Sequence, residues 1–188
     1  ASRSNYDAVL DALSTMVGSL AVGDPRDPAT EVGPLVAERQ QERVEKYIAL
    51  GQEEGARVVV GGNGRPPGMD TGWYVQPTVF ANATNDMRIA REEIFGPVLT
   101  VIPYDDVKDA VRIANDSIFG LGAAVFTRDL ARGERVARRL EAGATFVNAL
   151  VASDPRLPFG GIKESGYGRE LGPYGIREFV NVKTVVVR

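Results

Sequence analysis

Apolar residues Tyr6, Leu10, Leu13, Val17 and Leu20 recur three or four positions apart, the period of an amphipathic helix, and Ser4 or Asn5 can cap it. Gly23, Pro25, Pro28, Gly33 and Pro34 then break regular structure. A second helix is predicted over residues 38–54. Val44, Tyr47, Ile48 and Leu50 mark its buried side, and Gly55 is placed to end it in a left-handed conformation. Residues 57–60 are a short β-branched run, residues 61–72 are too rich in Gly and Pro to be other than a loop, and residues 73–80 read as extended.

Beyond residue 97 the pattern alternates. Residues 98–102, 123–126 and 144–147 are continuous apolar runs, as expected of strands covered on both faces. Helical patterns separate them. One carries Val107, Ala110, Val111 and Ala114 on a single face, with Asp105 or Asp106 as its cap, and the other spans residues 129–141. This alternation predicts an α/β fold with a mostly parallel sheet flanked by helices. Ligands of such sheets sit outside the carboxyl ends of the strands, so Asn148 and residues 149–158 become a candidate wall of a binding funnel. The last eight residues start polar and end in Val185, Val186 and Val187, which reads as an edge strand in need of a partner. The expected organisation is therefore one unit over residues 1–180 and a C-terminal strand arm over residues 181–188.

Composition narrows the chemistry. With 188 residues, 44% apolar and 25% charged, the chain is expected to be soluble, globular and long enough to bury a core. A net charge of −3 argues against a nucleic-acid partner. Five arginines between Arg128 and Arg139 alternate with Asp129 and Glu134 and read as a solvated helix face. No apolar run approaches the ~20 residues that cross a bilayer, and no leader pattern opens the chain, so neither a membrane nor a secretion role is expected. The chain has no cysteine and no histidine. Thiol and Ser-His-Asp catalysis and imidazole zinc sites are thereby excluded, and no calcium-loop spacing occurs, so no metal site is expected.

The segment REEIFGPV (residues 91–98) sets a carboxylate, an aromatic ring and a Gly-Pro turn within six residues. Pro97 fixes its own φ and biases Gly96 towards an extended shape, while Gly96 leaves room for close approach to the backbone. Whether residues 93–95 run as a strand or as a turn decides how Glu93 and Phe95 are aimed, and a turn could direct both at one cleft; both readings are open. PFGGIKESGYGRELG (residues 158–172) holds five glycines but contains neither GxxxxGK[ST] nor GxGxxG, so it is expected to be a tight docked connection and not a phosphate loop. If helical, Arg169 and Glu170 would point about 100° apart.

REEIFGPV resembles a segment of the aldehyde dehydrogenase superfamily. The resemblance extends in order to VGDPRDPATEVGPL (22–35), GWYVQPTVF (72–80), NDSIFGLGAAVFTRD (115–129), TFVN (145–148) and PFGGIKESGYGRELG. It implies the C-terminal catalytic-domain portion of such an enzyme, beginning just beyond the family's catalytic cysteine. The general base and most of the dinucleotide contacts would then lie in a missing N-terminal half, and this chain alone is expected to turn over nothing. In the intact enzyme a cysteine attacks the aldehyde, hydride passes to NAD or NADP, and water releases the carboxylic acid.

Residue by residue, the resemblance implies that Glu93 accepts hydrogen bonds from the nicotinamide ribose, a task suited to two acceptor oxygens. Phe95 and Phe159 would line the nicotinamide and substrate end of the tunnel, and Glu170 would lie near a proton path. Val151 and Ser153 would face the substrate funnel, and their small size suggests a roomier or more polar opening. Implied partners are the aldehyde substrate, the missing N-terminal half and further copies of the chain, in the cytoplasm. A non-catalytic folding or self-association module, and a reductase of acyl phosphates or semialdehydes from the same superfamily, are the alternatives.

Overall fold

A computed structural model describes residues 1–188, which divide into two compact units, Ala1–Asp106 and Val107–Arg188. The division falls inside the 1–180 stretch expected to form one unit.

In the first unit, helices α1 (Tyr6–Gly18) and α2 (Glu38–Glu53) precede strands β1 (Arg57–Val60) and β2 (Thr78–Ala81). A one-turn helix α3 (Arg88–Arg91) leads to β3 (Val98–Thr100). The sheet runs β1-β2-β3, with β1 antiparallel and β3 parallel to the central strand. Strand periodicity explains the layering. Val79 and Ala81 of β2 join Leu10 of α1 in one apolar cluster, while Phe80, between them, joins Val44, Tyr47 and Ile48 of α2 in another. The doubly covered strand is thus β2, all of whose residues are buried. By contrast, β3 exposes Leu99, and the part of 73–80 before Thr78 carries no strand.

Helix ends follow from local chemistry. Gly55 sits at φ 95 just after α2, the left-handed position for which it was expected. Asn5 is the N-cap residue of α1 but makes no side-chain bond to the helix; its Oδ1 instead accepts from the Ser2 hydroxyl at 2.5 Å.

The second unit starts with α4 (Val107–Asn115) and the short β4 (Phe119–Gly120), followed by β5 (Gly122–Val125), α5 (Leu130–Ala137) and β6 (Ala144–Val147). Then come β7 (Ile162–Lys163) and α6 (Gly172–Glu178). Strands β5 and β6 are parallel and in register from Gly122 opposite Ala144 to Val125 opposite Val147, a βαβ unit crossed by α5. Antiparallel pairing joins β4 to β7. Helix α5 lies close to the sheet, for a Cβ on Gly133 would come within 2.7 Å of Val147 Cγ1. Alternate residues of β5 are exposed, which departs from the expectation of burial on both faces: α5 packs against the pair, and Phe126 beyond β5 remains open to solvent.

Asp129 caps α5 by accepting the Arg132 N–H at 2.9 Å. Asp129→Ala is expected to lower stability by about 1 kcal/mol, measurable as a lower urea midpoint with unchanged slope.

Residues 181–188 carry no helix or strand in the single chain, and Val182, Val185, Val186 and Val187 are exposed. No helix is long and apolar enough to cross a membrane.

Candidate functional site

The segment holding Glu93 is laid along α2 by polar side chains. Glu54, just past the helix, accepts the Arg88 N–H at 3.0 and 3.1 Å, which starts α3 beside the helix end. Tyr47 donates its hydroxyl to Glu92, and Arg88 grips the same carboxylate at 2.7 and 3.2 Å. Nearer the helix start, Arg43 Nη2 donates to the Glu93 carbonyl at 2.7 Å, and Gln40 Nε2 donates to the carbonyls of Ile94 and Phe95 at 3.0 and 2.8 Å. Ile94 is buried among Val44, Ile48 and Phe80.

The strand reading fails, since residues 92–97 are irregular and the strand of this segment starts only at Val98. Glu93 and Phe95 stay exposed on either side of the buried Ile94. Phe95 has φ 57, where a bulky residue is an outlier, and its carbonyl bond to Gln40 holds it there. Gly96 has a different reason for being glycine than room for a ligand: a Cβ there would lie 2.5 Å from Val44 Cγ2, so α2 itself occupies the space.

The two neighbouring glutamates differ in availability. Glu92 is engaged by Arg88 and Tyr47, whereas Glu93 is held through its backbone carbonyl with its carboxylate outward in solvent. The Arg88 guanidinium, with help from the Tyr47 hydroxyl, holds Glu92 down to about 2, from an ordinary 4.5. Its folded-state value is depressed, so any stability it lends is present above pH 4.5 and is lost as pH falls towards 2. The bond to Glu92, and then burial, pushes the Tyr47 hydroxyl above its ordinary 10, so that contribution is present below pH 10 and lost above it. At 39% side-chain exposure, Glu92 is screened by solvent, and the cluster fixes geometry more than it adds stability.

Arg39, Arg43, Lys46 and Arg88 edge an open groove of about 720 Å³ beside this segment, which Tyr47, Ala49 and Leu50 also line. Glu53 is its one carboxylate. Gln40 and Arg43 belong both to the groove and to the bonds that hold residues 93–95. Their role had no signal in the apolar pattern, which reports only the face of α2 turned towards the core.

In the second unit, Phe159 and Glu170 are brought together. Their backbones form an antiparallel bridge with both N–H···O bonds at 2.8 Å. Glu170 therefore lies in extended backbone and not on a helical turn, and the side chains of Arg169 and Glu170 alternate across it. Arg169 Nη1 donates to the carbonyls of Gly161 and Gly168 at 2.8 and 2.6 Å, a clamp across the glycine-rich segment, while Glu170 is exposed. The glycines admit backbone and not phosphate: a Cβ on Gly143 would lie 1.7 Å from the Gly160 carbonyl oxygen. Lys163, at φ 56, bonds the carbonyls of Asn115 and Ser117 and pairs with Glu141 at 2.7 Å.

Asn148 ends β6 at φ 53 and bonds Thr127 through both arms of its amide, at 2.7 and 2.8 Å, prolonging the parallel ladder with a side chain. Residues 149–158 follow without regular structure. Val151 packs on the open side of Gly122, where a Cβ would meet it at 2.7 Å, and Ser153 is exposed. No group of three or more His, Cys, Asp or Glu residues is placed to hold a metal ion.

The sequence model of the aldehyde dehydrogenase family matches residues 1–185. A putative aldehyde dehydrogenase of Staphylococcus haemolyticus is 46% identical over 183 residues, which cover 97% of this chain and 38% of that protein. Among solved structures, an aldehyde dehydrogenase of Mycobacterium tuberculosis complexed with NAD+ superposes with a TM-score of 0.92 at 52% identity, over 95% of this chain and 37% of that one. A mutant of aldehyde dehydrogenase C from Pseudomonas syringae, complexed with NAD+ and octanal, superposes at 0.91 with 45% identity, over 95% and 36%. The chain thus spans little more than a third of the length of these relatives. A family match over nearly every residue, joined to the close agreement in fold, places the chain in the aldehyde dehydrogenase family.

Proposed function

We infer that the chain is the C-terminal catalytic-domain portion of an NAD(P)-dependent aldehyde dehydrogenase that oxidises an aldehyde to a carboxylic acid. The observation that carries this reading is Glu93, whose backbone is fixed by α2 and whose carboxylate is directed into solvent beside a cationic groove. Relatives of similar fold are complexed with NAD+, and one also with octanal. The residues present suit such a cofactor. A carboxylate accepts two hydrogen bonds from ribose hydroxyls, arginines and a lysine match a diphosphate, and the exposed Phe95 ring offers a flat apolar surface. When bound, the dinucleotide supplies the hydride acceptor.

The chain's own residues hold and orient. Glu93 fixes the ribose, Arg43 and Gln40 keep Glu93 in place, and the exposed Phe95 ring lies two residues along the same segment. Glu170, exposed on its bridge, serves as a proton-relay group, and Val151 and Ser153 face the substrate funnel. The exposed valines of residues 181–188 pair as a strand with another copy of the chain in a homo-oligomer.

The purified chain contains no thiol nucleophile. With aldehyde and NAD+ it should give no sustained rise in NADH absorbance, and adding the upstream half of the enzyme should restore turnover. Steady reduction by the chain alone would overturn this division of labour.

A further inference from the structure

Gln40, Arg43, Tyr47 and Glu54 lie three, four and seven residues apart, so they form one stripe along α2 and its C-cap. Each meets a successive part of residues 88–95, in reverse order: Glu54 meets Arg88, Tyr47 meets Glu92, Arg43 meets Glu93, and Gln40 meets Ile94 and Phe95. We propose that this stripe is a register rail for the cofactor carboxylate, with Tyr47 as the positioning residue that locks Glu93 through Glu92 and Arg43. The proposal rests on the reading of Glu93 given above and adds to it the group that aims the carboxylate.

Three contacts meet at Tyr47. Its hydroxyl donates to Glu92 and accepts from Arg43 Nη2 at 3.3 Å. Its ring is flanked by two guanidiniums, with Arg43 Cζ 5.0 Å and Arg88 Cζ 6.0 Å from the centroid, an arrangement in which each cation is drawn to the π face. Arg43 then passes the constraint on, because the same Nη2 bonds the Glu93 carbonyl. The ring itself is buried in the core beneath. Packing and aiming are therefore separable: the ring serves the core, and the hydroxyl serves the rail.

Glu93 is held by its own carbonyl and by its neighbours on either side, the Glu92 carboxylate and the Ile94 carbonyl. Without the Tyr47 hydroxyl, Glu92 is left to Arg88 and Arg43 loses one of its two partners, so residue 93 gains freedom that a ribose would have to remove on binding. Such an ordering cost weakens binding without touching the aldehyde.

Tyr47→Phe removes the hydroxyl and keeps the ring. In the full-length enzyme, calorimetric titration should find NAD+ bound about tenfold more weakly, with the KM for aldehyde unchanged and the thermal midpoint nearly so. Glu92→Gln, made independently, should move NAD+ affinity in the same direction. Two further outcomes are distinguishable. If Glu93→Gln weakens NAD+ binding but neither rail variant does, the rail is overturned and the role of Glu93 stands. If Glu93→Gln leaves NAD+ binding intact, the reading of Glu93 falls, and the proposal falls with it.

Discussion

Glu93→Gln in the full-length enzyme should slow single-turnover hydride transfer by roughly 10- to 100-fold, while the folded state barely changes. The size follows from the bonds at stake. Hydrogen bonds to a charged acceptor are worth about 1.5–3 kcal/mol, and each 1.4 kcal/mol is a factor of ten in rate. An amide keeps one acceptor oxygen and adds donors that face the ribose hydroxyls' own protons, so the pair of bonds is not reproduced. The lack of effect on stability follows from how the segment is held. Gln40, Arg43 and the burial of Ile94 all act on the backbone or on neighbours of residue 93, and the Glu93 side chain is exposed. Substitutions at such positions usually shift stability by less than about 0.5 kcal/mol. Stopped-flow absorbance at saturating NAD+ measures the first quantity and thermal unfolding the second. An unchanged single-turnover rate would contradict the assigned role.

Gly143→Ala should be the most damaging small substitution in the second unit. A methyl there would stand 1.7 Å from the Gly160 carbonyl oxygen and 2.7 Å from its carbon, and both are backbone atoms with no rotamer to escape into. Gly143 also donates its N–H to the Gly120 carbonyl at 2.9 Å, so moving it away strains the entry to β6 as well. Overpacking of this kind costs about 1–3 kcal/mol where side chains can yield, and a backbone clash belongs at or above the top of that range. Circular dichroism in a urea titration should find the midpoint markedly lowered. An unshifted midpoint would mean that Gly143 and Gly160 do not make this close approach.

Much of the frame was legible because it repeats a simple period. The apolar stripe of α2, the left-handed Gly55 and the β5-α5-β6 unit all follow from short-range rules. Two helices escaped. α3 is a single turn and α6 opens with Gly-Pro, so neither is long enough to display an amphipathic period. Other failures were matters of partner. Gly96 looked like room for a ligand, and its neighbour is Val44, 52 residues earlier in the sequence. Arg169 and Glu170 looked like a helical pair, and the bridge to Phe159 makes them extended.

The candidate site was half legible for the same physical reason. Glu93 and Phe95 could be named because a carboxylate and a ring beside Gly-Pro form a compact local signal, reinforced by a family resemblance. Gln40 and Arg43 could not, because their bonds go to backbone carbonyls, which every sequence supplies equally. Tyr47 was recognised as buried, yet its hydroxyl meets Glu92, 45 residues away, and no local period carries such a contact.

The most direct test is a crystal structure of the full-length enzyme with NAD+ bound, read at one place. The expected result is that both Glu93 carboxylate oxygens lie within about 3 Å of the nicotinamide ribose hydroxyls, with the Arg43 bond to the Glu93 carbonyl retained. A Glu93 side chain turned away from the ribose, with the hydroxyls held by other groups, would contradict the account.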